Sequence, residues 1–368
     1  MDEAAGDSLS AGSTPVCLFD LTPDTLGALD GLRGGPGYRA GQILEWVYRK
    51  GAERFDDMTN LPKGLRAQLA GTVSLYESAI VRETPSADGT RKLLLRWGDG
   101  ATTECVLLPD GDRRTACVST QVGCPVGCAF CASGLDGLER NLSAGQIVEQ
   151  AMLLNRLCRD EGGLTNVVFM GLGEPLANYE ATVRAVRTIN ADWGMNIGAR
   201  KITVSTVGLP GPMRRLADEG LQITLALSLH APDDELRRKL VPWARKITTD
   251  ELVEAASYFF EKTGREITIE YVLLAGVNDG SDQARRLADV SRRMRSNVNL
   301  IGYNPVEGLP YERPTNEASQ RFLAVLRDGG VNAHLRRSRG QDIDGACGQL
   351  RRRTREQVGS AHPTCSEP

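Results

Sequence analysis

The chain is 368 residues long, 41% hydrophobic and 25% charged, which suits about two globular domains with a substantial core. No apolar run approaches the ~18 residues that span a bilayer, and the acidic opening Met1-Asp2-Glu3 is the reverse of a basic signal-peptide start, so a cytoplasmic protein without a membrane segment is expected. Nine cysteines without a regular framework argue against a secreted disulfide scaffold and suit a reducing compartment, where an iron–sulfur cluster can be assembled.

The net charge of −3 is uneven: residues 1–30 hold six acids and no Lys or Arg, so the rest of the chain is net positive. Residues 1–16, rich in Ala, Gly, Ser and acids, are expected to be disordered. Residues 17–80 read as a small helical accessory domain, with Ile43, Leu44, Trp46 and Val47 on a helical period and Leu61-Pro62 opening a further helix. Tyr38, Arg39, Gln42, Trp46 and Arg49 suit an RNA surface by stacking and phosphate contact; the competing reading makes Trp46 the anchor of a small core. Within residues 81–114, two apolar runs at 92–97 and 103–108 flank Gly98-Asp99-Gly100, the signal of a β-hairpin linking this domain to the core of the chain.

From residue 115 to 350, strand-like runs at 116–120, 166–170, 201–206, 222–229, 266–274 and 297–303 alternate with helical patterns at 143–159, 179–190, 213–219, 251–262, 282–295 and 317–328. Six such units predict an α/β fold, a parallel sheet curved into a partial (β/α)6 TIM-like barrel. Residues 351–368 form a basic tail, expected to be disordered. Nine arginines stand against four acids in 321–356, which suits phosphate contact as well as it suits a solvated tail.

In such a barrel the chemistry collects at the C-terminal ends of the strands. After the first expected strand, Cys124, Cys128 and Cys131 stand in a C-x3-C-x2-C spacing with Gly123 and Gly127 among them, compact enough to wrap an inorganic group. Three ligands are one short of a structural zinc site, and none of the three histidines, His230, His334 and His362, is near in sequence. A four-iron cluster on three cysteines keeps one iron open to a substrate; zinc, or a coincidental group of small core residues, is the alternative. Gly171 and Gly173 follow the second strand, where they would let backbone approach a ligand, and Glu174 can accept from an ammonium group. Ser205 ends the third strand, Ser228, Leu229 and His230 the fourth, and Asn304 follows the sixth. His230 reads equally as a neutral core histidine. Cys347 lies between Gly345 and Gly348 in a segment that looks mobile. Cys17, Cys105, Cys158 and Cys365 carry no motif and read as packing or surface thiols.

The cysteine spacing with Phe130 before its last member resembles the signature of radical S-adenosylmethionine (SAM) enzymes. Together with Val118-Ser119-Thr120-Gln121-Val122-Gly123, residues 137–142, residues 170–175, Ser228-Leu229-His230-Ala231-Pro232 and residues 342–350, it resembles the radical SAM adenine-C2 methyltransferases of 23S ribosomal and transfer RNA, over residues 18–350. That resemblance implies a [4Fe-4S] cluster on Cys124, Cys128, Cys131 and SAM. It implies SAM contacts at Gly173, Glu174, Ser205, Ser228, Leu229, His230 and Asn304, with two SAM consumed per turnover. Cys347 is implied as the S-methylcysteine carrier, Cys117 as the thiol that resolves a protein–RNA adduct through a transient disulfide with Cys347, and Glu104 as the proton acceptor. In the implied mechanism Cys347 takes a methyl from one SAM, a 5′-deoxyadenosyl radical from a second removes hydrogen from it, and the carbon radical adds to adenine. Partners implied are 23S rRNA, tRNA and a one-electron reductant of flavodoxin or ferredoxin type, acting on a monomer. Methylation of carbon 8 of the same adenine, or a radical SAM activase or iron–sulfur protein of another type, are the competing functions; the last would need neither Cys117 nor Cys347.

Overall fold

The computed structural model describes residues 15–351. The expectations for 1–16 and 351–368 therefore lie outside the described residues, as do His362 and Cys365, save that Val16 already pairs in a strand. The chain divides into two compact units, one ending at Glu77 and one beginning at Ser78.

The first unit holds β1 (Val16–Cys17), α1 (Pro23–Gly27), α2 (Tyr38–Leu44), α3 (Lys63–Thr72) and β2 (Val73–Ser74), with β1 and β2 parallel. Helix α2 runs on into a π-helical turn over Glu45–Lys50 that stops at Gly51 in the left-handed region. Ile43, Leu44 and Val47 are fully buried, as their period predicts, and Phe19 sets its ring edge-on to Tyr48 and Tyr76. Trp46 is only half-buried: its indole N–H donates to Asn60 and the Lys50 ammonium lies 4.3 Å from its ring centroid. Phe19, rather than Trp46, centres this core. Tyr38 is exposed, with the Arg39 guanidinium over its ring.

The second unit is built on one ten-stranded sheet. Its strands are β3 (Ala79–Pro85), β4 (Arg91–Arg96), β5 (Thr102–Asp110), β6 (Arg113–Cys117), β9 (Asn166–Phe169), β10 (Ile202–Thr206), β11 (Thr224–Ser228), β12 (Ile267–Leu273), β13 (Ser296–Gly302) and β14 (Ala333–Arg336). The spatial order is β14-β13-β12-β11-β10-β9-β6-β5-β4-β3. From β6 to β14 the pairings are parallel, as the alternating strand and helix patterns require, and β3 to β6 pair antiparallel. The hairpin expected as a link is thus three strands long on the far side of β6 and continuous with the sheet. A seventh parallel strand, β14, was not legible, because Ala-His-Leu-Arg has no apolar run.

Helices α4 (Ala144–Leu157), α5 (Tyr179–Asn190), α6 (Pro210–Asp218), α7 (Asp234–Leu240), α8 (Thr249–Thr263), α9 (Ser281–Met294) and α10 (Asn316–Asp328) occupy the connections. Their ends are chemically marked. Ser143 with Gln146 and Thr248 with Glu251 form capping boxes, and Gly264 closes α8 in the left-handed region. Strands β11 and β12 are buried along almost their whole length, as strands covered on both faces must be. A separate hairpin, β7 (Gln121–Gly123) with β8 (Leu138–Asn141), holds both ends of the intervening cysteine loop. No helix among the described residues is long and apolar enough to cross a membrane.

Candidate active site

Strand β6 ends at Cys117, and its continuation brings the chain into the β7–β8 hairpin, so Cys124, Cys128 and Cys131 are lifted over the strand ends. Gly123, at φ 78°, admits no side chain: a Cβ there would stand 2.0 Å from the Gly137 carbonyl. The three cysteines pack against Val126, Phe130, Leu240, Val241 and Tyr303. Together they line a cavity with Glu174, Ser205, Ser228, His230, Asn304 and Cys347.

Burial pushes the three thiols up, to about 12 for Cys124 and well above the ordinary value for Cys128; the Cys131 sulfur reinforces the effect at both of these, and the Cys124 sulfur at Cys128. Such thiols ionise only beside a strong positive charge, which a metal centre supplies. Arg237 is completely buried beside Cys128; Nη2 donates to the Val207 carbonyl, while Nε and Nη1 have no partner. Orphaned guanidinium donors next to a thiol wall call for an anionic group. Among the described residues no three His, Cys, Asp or Glu side chains converge as they would on a single ion. The thiols are instead spread along a cavity wall. This donor set fits a thiolate-held cluster, with Cys124, Cys128 and Cys131 as its holders.

The turn after β9 carries Glu174, which is 2% exposed. Its Oε1 accepts from the Leu176 N–H at 3.0 Å and its Oε2 from the Val207 N–H at 2.8 Å. Burial raises its pKa to about 7 against the pull of those bonds. The glycines of this turn also meet a steric demand of the fold. A Cβ on Gly171 would meet Ser119 Oγ at 2.6 Å, and on Gly173, at φ 106°, Gln121 Cβ at 2.7 Å. They let the turn pack against residues 119–121 while both glycines also line the first cavity. Ser205 and Ser228 end neighbouring strands with their hydroxyls 3.2 Å apart. His230 adopts φ 59°, accepts from the Val272 N–H at Nδ1 (3.1 Å) and lies edge-on to Phe130. Burial, aided by Arg237, lowers its pKa to about 3, so its ring is neutral. His230 is a hydrogen-bonded core histidine, and it also lines the first cavity. Leu229 is fully buried, its N–H on the Glu270 carbonyl, and lines no cavity.

A second cavity, of about 1600 Å3, shares Cys131, Met170, Asn304, Arg336 and Cys347 with the first and adds Cys117. Cys117 is buried with Val106, Leu172 and Leu350. Its pKa is raised by that burial and further by Cys347, and both are free thiols. The segment bearing Cys347, expected to be mobile, is pinned at many points. Asn304 Nδ2 holds the Cys347 carbonyl at 3.0 Å, Ala132 N–H the Gly348 carbonyl at 2.8 Å, and Ser133 Oγ the Leu350 carbonyl at 2.8 Å. At its start Asp342 accepts from Ser86 Oγ and Ala87 N. Cys347 itself stays solvent-accessible.

Glu104, on β5, lines neither cavity. It is sealed in, its Oε1 3.1 Å from Lys92 Nζ and its Oε2 accepting from the Arg351 N–H at 3.1 Å. Lys92 also donates to the Asp344 carbonyl, so this buried pair grips the Cys347 segment at two points. Cys105 beside it is buried, as are Cys17 and Cys158. Sequence reasoning missed Lys92, Arg237, Glu270 and Arg336. Glu270 is 4% exposed and lines the first cavity; Oε1 accepts from Asn299 and faces Arg336, while Oε2 has no partner. An acid inside a strand pattern was the one available signal for it.

A parallel sheet carrying a three-cysteine loop above its strand ends is the architecture of a radical SAM enzyme, and the sequence model of the Radical SAM superfamily matches residues 118–288. The model described as the ribosomal RNA large subunit methyltransferase N-terminal domain matches residues 16–75. A crystal structure of a radical SAM methyltransferase from Sphaerobacter thermophilus superimposes with a TM-score of 0.89 at 49% identity, covering 91% of this chain and 99% of that one. Proteins named probable dual-specificity RNA methyltransferase RlmN are 45% identical in Rhodopirellula baltica, over 94% of this chain and 93% of the relative, and 47% identical in Thermotoga maritima, over 85% and 91%. The chain belongs to the RlmN family of dual-specificity RNA methyltransferases within the radical SAM superfamily, and is a SAM-dependent transferase.

Proposed function

We propose that this enzyme methylates carbon 2 of an adenine in 23S rRNA and in tRNA, with Cys347 as methyl carrier and Cys117 as resolving thiol. The observation that supports it most is the placement of these two thiols on one wall of the larger cavity, which opens into the cavity lined by the three-cysteine loop. Carbon 2 of adenine is electrophilic and carries no acidic proton, so direct displacement from SAM fails there and the carbon must be delivered in another form. A cluster on Cys124, Cys128 and Cys131 supplies, when bound, the electron that cleaves SAM reductively. Gly173, Glu174, Ser205, Ser228, His230 and Asn304 line the space for SAM, with Glu174 facing its ammonium, and Leu229, between Ser228 and His230, completes the set of SAM contacts. Cys347 accepts a methyl group from SAM, leaving S-adenosylhomocysteine; a second SAM, cleaved with the electron the cluster would supply, would carry off one hydrogen of that methyl as 5′-deoxyadenosine, and the carbon would then bond to the ring while still joined to sulfur. Glu104 takes up the ring proton once the Cys347 segment, to which it is bonded through Arg351, yields an oxygen. Cys117 then attacks the Cys347 sulfur as thiolate, closing a disulfide, and the carbon leaves with the S–C electron pair and takes up a proton to become the methyl group of the freed RNA. The adenine enters unstacked from its neighbours. We place the enzyme in the cytoplasm as a monomer, with a flavodoxin- or ferredoxin-type reductant.

The test is Cys117→Ala. It should form a covalent protein–RNA species that survives denaturing electrophoresis, disappears on ribonuclease digestion, and is absent from the Cys117→Ala, Cys347→Ala double variant. Mass spectrometry of digested RNA from cells with and without the enzyme should show 2-methyladenosine. Normal turnover by Cys117→Ala would remove the resolving role, and 8-methyladenosine would move the reading to the other carbon.

A further inference from the structure

Cavities continue beyond the thiols. A third space, of about 1410 Å3, shares Arg336, Arg337, Ser338 and Arg339 with the cavity that holds Cys117 and Cys347. Arg113 lines the inner of the two and Arg313 the outer. The trench has two acids. Asp110 pairs with Arg339, and Asp88 is committed to the backbone N–H groups of Gly340 and Thr90, at 2.9 and 3.0 Å.

Several surface arginines elsewhere on this acidic chain are neutralised at short range. On α9 and α10, Arg285 pairs with Asp282, Arg292 with Asp289, Arg293 with Asp250 and Arg321 with Glu317. The trench differs. Arg113 and Arg337 are exposed and form no ion pair among the described residues, and Arg313 donates to the Ser338 hydroxyl. Unneutralised guanidinium groups converging on a cavity lined by Cys117 and Cys347 raise the local concentration of a polyanion there. They also present forked donors that match phosphate oxygens.

We propose that Arg113, Arg337 and Arg313 bind the backbone phosphates flanking the nucleotide whose base enters the Cys347 cavity. This rests on the RNA reading above and adds the path of the strand. Phosphate contacts carry no sequence information but set register. Because Arg337 stands ten residues before Cys347 on a segment pinned at both ends, a phosphate held there fixes the depth at which the base meets the thiol.

The reconstituted full-length enzyme is titrated into a fluorescein-labelled, unmodified tRNA transcript and a labelled single-stranded 12-mer RNA at several salt concentrations. Each phosphate contact contributes about 0.7–0.9 to the salt slope, which at 0.1 M salt is about five- to eightfold in affinity. Arg113→Gln, Arg337→Gln should therefore weaken binding of both probes by roughly 25- to 60-fold and flatten the slope by about 1.4–1.8, with an unchanged melting temperature. Arg285→Gln, Arg293→Gln on α9 removes the same charge and should change affinity by less than about twofold. Equal affinity and slope in the trench variant and the wild type would overturn the proposal, as would an effect no larger than that of the α9 control. Intact RNA affinity with slower cluster reduction by a flavodoxin would overturn it too, marking the trench as a dock for an acidic protein. Wild-type enzyme that binds no RNA would overturn the RNA reading itself.

Discussion

Lys92→Met probes the pair that ties the sheet to the Cys347 segment. Lys92 and Glu104 side chains are 7% and 3% exposed and their charged atoms are 3.1 Å apart. At an effective dielectric of about 20 their attraction is about 5 kcal/mol. Removing the ammonium leaves a buried carboxylate with one backbone N–H from Arg351, and strips the Asp344 carbonyl of a donor. Breaking a buried pair in this way costs about 3–5 kcal/mol. Met keeps the volume and length of the Lys stem, so the loss reports charge rather than packing. Lys92→Met, Glu104→Gln removes both charges while the amide oxygen still accepts from Arg351, and should recover all but ~1–2 kcal/mol. Urea denaturation of protein with matched cluster content measures this. Alkylation of Cys347 by iodoacetamide, located by peptide mass, should accelerate in Lys92→Met as the segment loosens. A loss below ~1 kcal/mol in Lys92→Met, or a double variant no more stable than the single, would refute the reasoning.

Gly173→Ala forces a side chain onto φ 106° and into Gln121 Cβ at 2.7 Å, and should cost about 3 kcal/mol or more and weaken SAM binding in equilibrium dialysis. Gly198→Ala, where a Cβ meets nothing within 4 Å, should be nearly neutral in the same assays. Glu174 has a folded-state pKa raised to about 7 from 4.5, so its proton stabilises the fold below pH 4.5 and that contribution is lost as pH rises through 7. In the apoprotein, Glu174→Gln should therefore gain on the wild type by about 1.4 kcal/mol per pH unit across that window in urea titrations. Asn304→Ala releases the Cys347 carbonyl and the Gln341 amide, and Cys347 alkylation should speed up without loss of the three cluster cysteines' metal content, measured as iron and sulfide.

Much was legible because it depends on local order. Cys124, Cys128 and Cys131 share one short loop, and any fold placing that loop at a strand end brings three thiols together. The six strand–helix alternations are written in periodicity, and the caps at Ser143 and Thr248 mark the boundaries. What the sequence left open depends on partners distant in the chain. That Gly171 and Gly173 must also clear room for residues 119–121 is decided by how β9 meets β6. The Cys347 segment reads as mobile from its glycines, yet Asn304, Ala132, Ser133 and Ser86, between 43 and 256 residues away for the three side-chain bonds, hold it. Glu104 alone looks like a surface acid; only the pairing of β4 with β5, which sets Leu94 opposite Glu104, brings Lys92 within reach and makes it a buried ion. Local spacing thus determined which chemistry this chain carries. Tertiary packing decided which groups are charged, accessible and held still, because burial and pairing are set by neighbours that the linear order does not name.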